Sequence, residues 1–403
     1  MAPIPAFDTL LDDAPDARRI IRATLGRALA EGVSYVHVEP SDVRWRLRLR
    51  HDDALAETLL NDDDALPAAL ALLAQRLVAA SARPPGSPAA FIASLDGERQ
   101  LLALTTTRSS RGDVYVLSLH GNALAPAGLD TLGLDVRTLV AIRALLERPS
   151  GWLAVASADR LDGERVVRAL AQQLVSPERK LLCVEPSPHP PLPRVVQVDA
   201  SAATEALVAD SIPDVDAVLV PAHLPDATLA ALAARAAEDL LVVHRSGARR
   251  PSEVLGRLLG LGLAPGWAAR SLSGVLMRYR VRLLCPCCRV ADPGESEARR
   301  WLGALRTPQI SDVSAWLERA LETRCRPGEG CEACHGSAHS GVRDLTDIVL
   351  PDETLRRTLW EGDIERALVL VDASSRLAAK LGALVADGTI CADEAARHLR
   401  PRY

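Results

Sequence analysis

Two thiol pairs are the residues of this chain best suited to chemistry. Cys285-x-x-Cys288 and Cys331-x-x-Cys334 form CxxC knuckles separated by residues 289–330. Thiolate pairs at that internal spacing suit a tetrahedral metal, zinc above all. Four protein ligands leave no open position for a substrate, so the expected role is structural. Cys287 places a third thiol in the first knuckle, and Cys325 and His335 are further candidates for a place in the set. The chain opens Met1-Ala2-Pro3-Ile4-Pro5 without the basic and apolar regions of a signal peptide, so its eight cysteines are read as metal ligands rather than disulfides.

A second stretch matters for what it lacks. Gly151-Trp152-Leu153-Ala154-Val155-Ala156 is a buried-strand pattern, and Glu164 to Val175 follows as a helix. The turn between them reads Ser157-Ala158-Asp159-Arg160-Leu161-Asp162-Gly163-Glu164. A loop that cradles a triphosphate needs bare backbone N–H groups, a lysine on the terminal phosphates and a hydroxyl on Mg²⁺. This turn has one glycine and no lysine, and its three carboxylates would repel a triphosphate. Arginine and lysine together number 47, and Lys180 and Lys380 are the only lysines. Lys180 follows the helix as a surface residue and is not assigned to phosphate.

The elements around these residues fall into two groups. Asp16 to Ala30 reads as a lead-in helix, then Val36 and Val38 alternate as a strand. In the next strand Arg46, Arg48 and Arg50 stand against Trp45, Leu47 and Leu49. A helix from Ala65 to about Ala82 follows, broken by Arg83-Pro84-Pro85-Gly86, and strands are expected at Ala90–Leu95, Gln100–Thr106 and Val114–Leu119. That β-β-α-β-β-β order is a small α+β domain over residues 31–123. From residue 124 to 284 amphipathic helices alternate with apolar runs at Trp152–Val155, Leu181–Val184, Ala217–Val220 and Leu240–Val243, with helices at Ala203–Ala209, at Ala227–Ala237 and after Pro251. Continuous apolar runs between helices indicate a parallel sheet covered on both faces, hence an α/β fold. A tetracysteine element over 285–350 and a helical end over 351–403 complete the chain.

Most of these segments resemble one family in one order. Val33-Ser34-Tyr35-Val36-His37-Val38-Glu39-Pro40 and the strand from Trp45 to Asp52 resemble the second N-terminal domain of the type II secretion and type IV pilus assembly ATPases. Arg148-Pro149-Ser150-Gly151 resembles the "RPxG" before that family's Walker A strand. Ser176-Pro177-Glu178-Arg179-Lys180 and Cys183-Val184-Glu185-Pro186 are similar to its "TPERN" and "TVEDP" segments. Pro213-Asp214-Val215, the run from Leu258 to Leu276, the cysteine pairs and Asp387-Gly388-Thr389 match its later motifs. The likeness covers roughly residues 31 to 400.

The departures fall on the chemistry. Gly163 takes the family's lysine position and Glu164 its Ser/Thr. The Walker B "VGE" has become Val220-Pro221-Ala222, Pro186 replaces the Asp after Glu185, and the histidine box is reduced to Val243-His244-Arg245-Ser246. Met277-Arg278-Tyr279-Arg280 stands for the "AQRL" before the first cysteine pair.

The resemblance implies a RecA-like P-loop-type domain preceded by a small α+β (PAS-like) domain. It implies a degenerate nucleotide site at Gly163, Glu164, Glu185 and His244, with Arg46, Arg48 and Arg50 approaching it, and no catalytic residue. It also implies a zinc at Cys285, Cys288, Cys331 and Cys334. A plain strand-end histidine, a framework acid and a solvated arginine face are the bland alternatives for His244, Glu185 and the three arginines, and His37 reads as a packing residue. ATP with Mg²⁺ is a doubtful cofactor. Three functions compete: a catalytically dead subunit of a secretion or pilus machine, a divergent ATPase retaining weak hydrolysis, and a module that binds a nucleotide without turning it over. The implied partners are an active paralogous ATPase and an inner-membrane platform protein, in a possible ring oligomer.

Composition narrows the field further. Net charge is −5 and aromatics are 3% of residues, so neither a basic footprint nor base-stacking rings for nucleic acid are present. No apolar run approaches the ~20 residues of a membrane span. A cytoplasmic chain, peripheral at the inner membrane, is expected.

Overall fold

The computed structural model describes residues 4–30, 33–51, 54–60, 65–81, 89–95, 97–119, 128–185, 190–200, 214–291, 325–334 and 336–399. The chain forms two compact units, Met1–Pro126 with Pro186–Pro191, and Ala127–Glu185 with Leu192–Tyr403.

In the first unit α1 (Phe7–Leu10) and α2 (Pro15–Ala30) precede β1 (Tyr35–Pro40), β2 (Trp45–His51) and β3 (Ala54–Leu59). Then come α3 (Leu66–Ser81), β4 (Ala89–Leu95), β5 (Glu98–Ser109) and β6 (Gly112–Ser118). All six strands pair antiparallel in the order β3-β2-β1-β6-β5-β4. Alternation sorts the faces: Val36, Val38, Leu102, Leu104 and Leu117 enter a core with Leu25, Leu70, Leu73 and Leu77 of the helices. Three strands stand before α3 where the sequence pattern gives two. The additional one, β3, is an edge strand exposed from Leu55 to Leu59, so it carries no apolar alternation to betray it.

The second unit begins with a 3₁₀ turn, Leu129–Leu132, and α4 (Val136–Leu146), capped by the Asp135 carboxylate on the Thr138 N–H. It continues through β7 (Gly151–Ser157), α5 (Arg160–Leu174), β8 (Leu181–Glu185), β9 (Val195–Asp199), β10 (Ala217–Val220), α6 (Asp226–Ala236) and β11 (Leu241–Ser246). After α7 (Pro251–Gly260) and α8 (Pro265–Ser271) come β12 (Leu272–Leu284), the short β13 (Val290–Ala291) and β14 (Cys325–Arg326), and β15 (His339–Val349). Four helices end the described chain: α9 (Glu353–Trp360), α10 (Ile364–Ala373), α11 (Leu377–Ala386) and α12 (Ala392–Leu399).

Seven strands form one sheet in the order β15-β12-β7-β11-β10-β8-β9, parallel except where β15 runs against β12. The interior strand β7 is buried at every residue. Its Trp152, Ala154 and Ala156 join a core with Leu232, Leu255 and the C-terminal helices, while Leu153 and Val155 meet Val166 and Leu170 of α5. That two-sided burial is why the run is apolar without alternation. Gly151 opens β7 at φ 137°, and a Cβ there would lie 2.8 Å from the Ser273 Cβ, so β12 approaches closer than any side chain allows.

Three expectations change. The helix read from Glu164 starts at Arg160. A half-exposed edge strand, β9, follows β8 unannounced. The stretch after Pro251 holds α7 and α8 but then becomes the 13-residue strand β12, whose Met277, Tyr279 and Val281 alternate with Arg278, Arg280 and Arg282. Period-two alternation with arginine marks a strand that buries one face and ion-pairs the other. The helix expected at Ala203–Ala209 lies outside the described residues, and so does part of the segment from Leu124 to Asp135.

Candidate functional site

The β7–α5 turn is two residues long. Ser157 ends the strand, and Asp159, with extended backbone (φ −85°, ψ 116°), caps the helix: its carboxylate accepts from the N–H of Leu161 at 2.9 Å and of Asp162 at 3.3 Å. Arg160, Leu161 and Asp162 carry no helix breaker, so the Asp159 cap lets the helix begin four residues earlier than periodicity alone suggests. The N-terminal amides that would otherwise attract an anion already have one.

Gly163 sits inside that first turn. A Cβ on it would lie 2.9 Å from the Arg245 Cγ and 3.3 Å from the Ser157 Cβ, so the Arg245 stem occupies the space a lysine would use. Arg245, at the end of β11, reaches across to donate from Nε to the Pro221 carbonyl at 2.8 Å. Burial pulls the Arg245 pKa down, against the charges of Glu164 and Asp159 that raise it. Glu164 is fully buried, 3.4 Å from Arg160.

Asp162 continues the arrangement on the strand side. It pairs with Arg278 of β12 through both oxygens, at 3.0 Å to Nε and 2.8 Å to Nη2. Arg278 also donates to the Leu132 carbonyl at 3.0 Å, to the Thr346 hydroxyl at 2.9 Å and to Asp344 at 3.1 Å. Arg280 joins Asp159 at 3.2 Å to the other oxygen of Asp344 at 3.1 Å. Burial works to raise the Asp162 pKa, but the hydrogen bonds and charge of Arg278, helped by Arg280, hold it below the usual carboxylate value. Asp159, Asp162, Arg278, Arg280 and Asp344 thus form one continuous ion-pair network over the helix start.

The remaining sequence candidates are placed as follows. Glu185, at the end of β8, receives Arg168 of α5 at 2.6 Å and the Gln197 amide, and both charged groups are buried. His244 turns to the opposite sheet face, its ring 5.0 Å from that of Trp152. Burial, reinforced by Arg245 and Arg257, lowers its pKa to about 3, so the ring is neutral. In the first unit Arg46 and Arg48 meet Glu57 at 3.3 and 2.9 Å, Arg48 also lies 3.5 Å from Glu39, and Arg50 stands opposite Tyr35 across the strand pair. Gly163, Glu164 and Glu185 therefore gather along α5, while His244 does not join them. Sequence reasoning assigned no role to Arg245, Arg278 or Arg280. The alternation in β12 was the available signal for the last two.

The cysteines converge. The sulfurs of Cys285, Cys288, Cys331 and Cys334 all lie within 4.8 Å of one another. Three pairs stand at 3.7–3.8 Å: Cys285 with Cys331, Cys288 with Cys334, and Cys331 with Cys334. A tetrahedral metal with bonds of about 2.3 Å sets its sulfurs about 3.8 Å apart, so the four fit such an ion. The Cys331 N–H donates to the Cys334 sulfur at 3.1 Å and is the main cause of lowering that thiol to about 6, with burial opposing. Cys287 is exposed, and Cys325 lies against Gly388 rather than in the cluster. His335 lies outside the described residues. The element is held to the C-terminal helices by Arg289 on the Gly388 carbonyl (2.6 Å) and the Leu284 N–H on Thr389 (2.8 Å).

Among known proteins, the family model described as type II/IV secretion system protein matches residues 9–397. The chain is 25% identical over 378 residues to type II secretion system protein E of Klebsiella pneumoniae, covering 91% of this chain and 72% of the relative. It is 24% identical over 376 residues to type II secretion system ATPase E of Vibrio cholerae, with the same coverage of 91% and 72%. The fold is similar to that of the pilus retraction motor PilT with bound ADP, at TM-score 0.57 and 14% identity, over 95% of this chain and 97% of that one. It is likewise similar to the Yersinia pseudotuberculosis ATPase DotB, at TM-score 0.60 and 12% identity, over 94% and 92%.

Proposed function

The chain belongs to the type II/IV secretion system protein family, and we propose that it serves a type II secretion or type IV pilus assembly machine as a non-hydrolysing subunit. The observation that carries this reading is the ion-pair network over the start of α5. Asp159 takes the helix amides, Arg278 and Arg280 are held by Asp159, Asp162 and Asp344, and Arg245 fills the space above Gly163. Phosphoryl transfer depends almost wholly on positioning and charge neutralisation. Here no lysine in the turn, no hydroxyl at residue 164 and no acid directly after β10 at Pro221-Ala222 is available, and Glu185 is committed to Arg168. These residues do not fit a magnesium triphosphate.

The cysteine cluster supports a zinc with a structural role, because its four sulfurs fill a tetrahedral shell. A chain that keeps both units, the cysteine element and the C-terminal helices has kept surfaces for partners. We assign those partners as an active paralogous ATPase, an inner-membrane platform protein, or both, which would hold it at the cytoplasmic face of the inner membrane. Among the described residues no helix is long and apolar enough to cross a membrane.

The test is turnover and binding together. Purified protein hydrolyses no ATP above background, and ATP with Mg²⁺ leaves its thermal stability unchanged, whereas a ligand at 100 times its Kd adds about 2.7 kcal/mol. Gly163→Lys with Glu164→Thr does not restore turnover. A measurable rate abolished by Glu185→Gln overturns the reading. Co-purification from native membranes tests the partners, and a lone monomer with neither partner counts against the subunit role.

A further inference from the structure

A cavity of about 160 Å³ in the second unit lies apart from the sites described so far. It is lined by Tyr279 of β12, Pro251 of α7, Leu377 and Ala378 of α11, and His398 and Leu399 of α12. Tyr279 alternates with Arg278 and Arg280, so the cavity stands on the face of β12 away from the ion-pair network.

The volume is that of a small ring. An apolar cavity of about 150 Å³ takes up benzene, and the lining here is mostly apolar. The Tyr279 and His398 rings meet edge to face, their centres 5.9 Å apart and their planes at 83°, and both are largely buried. A third ring can join such a pair with offset or edge-to-face contacts of its own.

The polar groups on the wall are engaged, with one exception. The Asp372 carboxylate accepts from the Ser252 N–H at 2.8 Å and from its hydroxyl at 2.7 Å, and the Arg250 guanidinium stands 4.0 Å away. Arg250 also donates to the Leu399 carbonyl. Ser375 donates to Asp347 at 2.8 Å, and the Tyr279 hydroxyl to the Arg249 carbonyl at 3.1 Å. Asp372 is thus matched by Arg250, and the Glu253 carboxylate, 2.8 Å from the Arg249 nitrogen, lies beside the remaining cation. The exception is His398. Its Nε2 faces the buried Glu394 carboxylate at 3.4 Å, so that nitrogen carries the proton. Nδ1 is left as an acceptor without a partner among the described residues, on a ring that lines the cavity.

We propose that this cavity binds a small, neutral aromatic molecule with a single O–H or N–H donor, of the phenol or indole class. The ring packs on Tyr279 and His398, beside Leu377 and Ala378, and its donor is taken by His398 Nδ1. A ring without a donor leaves that nitrogen unpaired, which makes the donor the element of specificity. An ammonium or a carboxylate would give up its water for a wall whose charges are already matched. The cavity joins β12 and α7 to α11 and α12, so the ligand fastens the C-terminal helices to the sheet. The inference is independent of the nucleotide reading.

The test is a ligand-detected NMR titration of the full chain with phenol, indole, fluorobenzene, benzoate and benzylammonium. Phenol and indole bind with a Kd of about 1 mM or lower. Phenol binds about fivefold tighter than fluorobenzene, which has nearly its shape without the donor. Saturating phenol slows hydrogen exchange of the α11 and α12 amides. His398→Phe keeps a ring and removes the acceptor, while Glu394 retains Arg282, so fluorobenzene still binds and the preference for phenol disappears. Ala378→Phe fills the cavity and abolishes binding of every probe. Absence of binding at about 10 mM probe overturns the proposal, as does a preference for phenol that survives His398→Phe. Tighter binding of benzoate or benzylammonium than of phenol refutes a neutral ligand. Binding that appears only on Tyr403→Ala assigns the cavity to the phenol ring of this chain and equally refutes a free ligand.

Discussion

Asp162→Asn tests whether the ion-pair network stabilises the second unit. Asp162 and Arg278 are 8% and 2% exposed, so their pairing takes place largely out of water. Removing one partner of a buried pair costs about 3–5 kcal/mol, because the other charge is left uncompensated. Here Arg278 keeps Asp344, the Leu132 carbonyl and the Thr346 hydroxyl, and Asn keeps one acceptor oxygen. The expected loss is therefore below that range, about 2–3 kcal/mol. Arg278→Met should cost a similar amount, since Asp162 would retain only the Ser157 hydroxyl, 3.4 Å away, and the less direct charges of Arg280 and Arg165. The double variant should lose much less than the sum, with a coupling of about 1.5 kcal/mol or more. Equilibrium denaturation of the full chain gives the free energies, and hydrogen exchange of the α5 amides identifies which transition belongs to this unit. The effect has a pH signature. The folded pKa of Asp162 is lowered, so its contribution is present above its unfolded value of about 3.9 and disappears as pH falls below it. An Asp162→Asn variant within about 0.5 kcal/mol of wild type, the usual range for surface substitutions, would refute the reasoning, and so would additive single losses.

Two acid-sensitive sites should be separable in the same measurement. His244, lowered to about 3, is neutral when folded, so stability falls as pH drops from about 6.5 and the unfolded state takes up a proton first. Glu394, lowered to about 2 by His398 and Arg282 against the opposing effect of burial, contributes about 3 kcal/mol that is complete above pH 4.5 and lost towards pH 2. Glu394→Gln removes the lower step and leaves the upper one. Metal analysis after reducing, chelator-free purification should find about one zinc per chain. Cys331→Ser should release it and expose the amides of residues 284–291 and 325–334 to exchange, while Cys325→Ser should do neither, and a chain free of metal in the first measurement would remove the site.

The sequence carries the sheet strands that are buried on both faces and fails at edges and ion pairs. Gly151–Ser157 and Ala217–Val220 announce themselves because two cores demand apolar residues at every position. Edge strand Ala54–Leu59 has one neighbour and is exposed, so nothing in its composition separates it from a loop, whereas the half-buried edge strand Val195–Asp199 offered a signal in its three valines that the reading passed over. The cysteine set was legible because CxxC spacing fixes local geometry and only the pairing of the two knuckles is left to the fold. The helix start at Arg160 was obscured by the matching of Gly163 to a phosphate-loop lysine. That match stretched the turn over Arg160–Gly163, which the Asp159 cap turns into helix. Arg245 escaped notice for a different reason. Its role depends on which sheet face it takes, and a one-residue register difference exchanges it with His244.

On the proposed reading, the same residues explain how a framework built around a nucleotide stands without one. A helix start that opens at the end of a parallel sheet concentrates unsatisfied N–H groups and positive helix-dipole charge. In a nucleotide enzyme the phosphates answer that charge, and their loss would leave it buried and unmatched. Here Asp159 answers it directly. Asp159 and Asp162 then require cations, which β12 supplies as Arg278 and Arg280, and the surplus is balanced by Asp344 of β15. Each group in this sequence would be destabilising alone and is compensated only by the next. On the proposed reading the network acts as a permanent internal substitute for the ligand, so the unit needs no nucleotide to stay closed at this end and has no group left to release one. Restoring a working loop would then require removing Asp159 and Arg245 together with the changes at residues 163 and 164, because a lysine placed beside Arg245 meets both its volume and its charge.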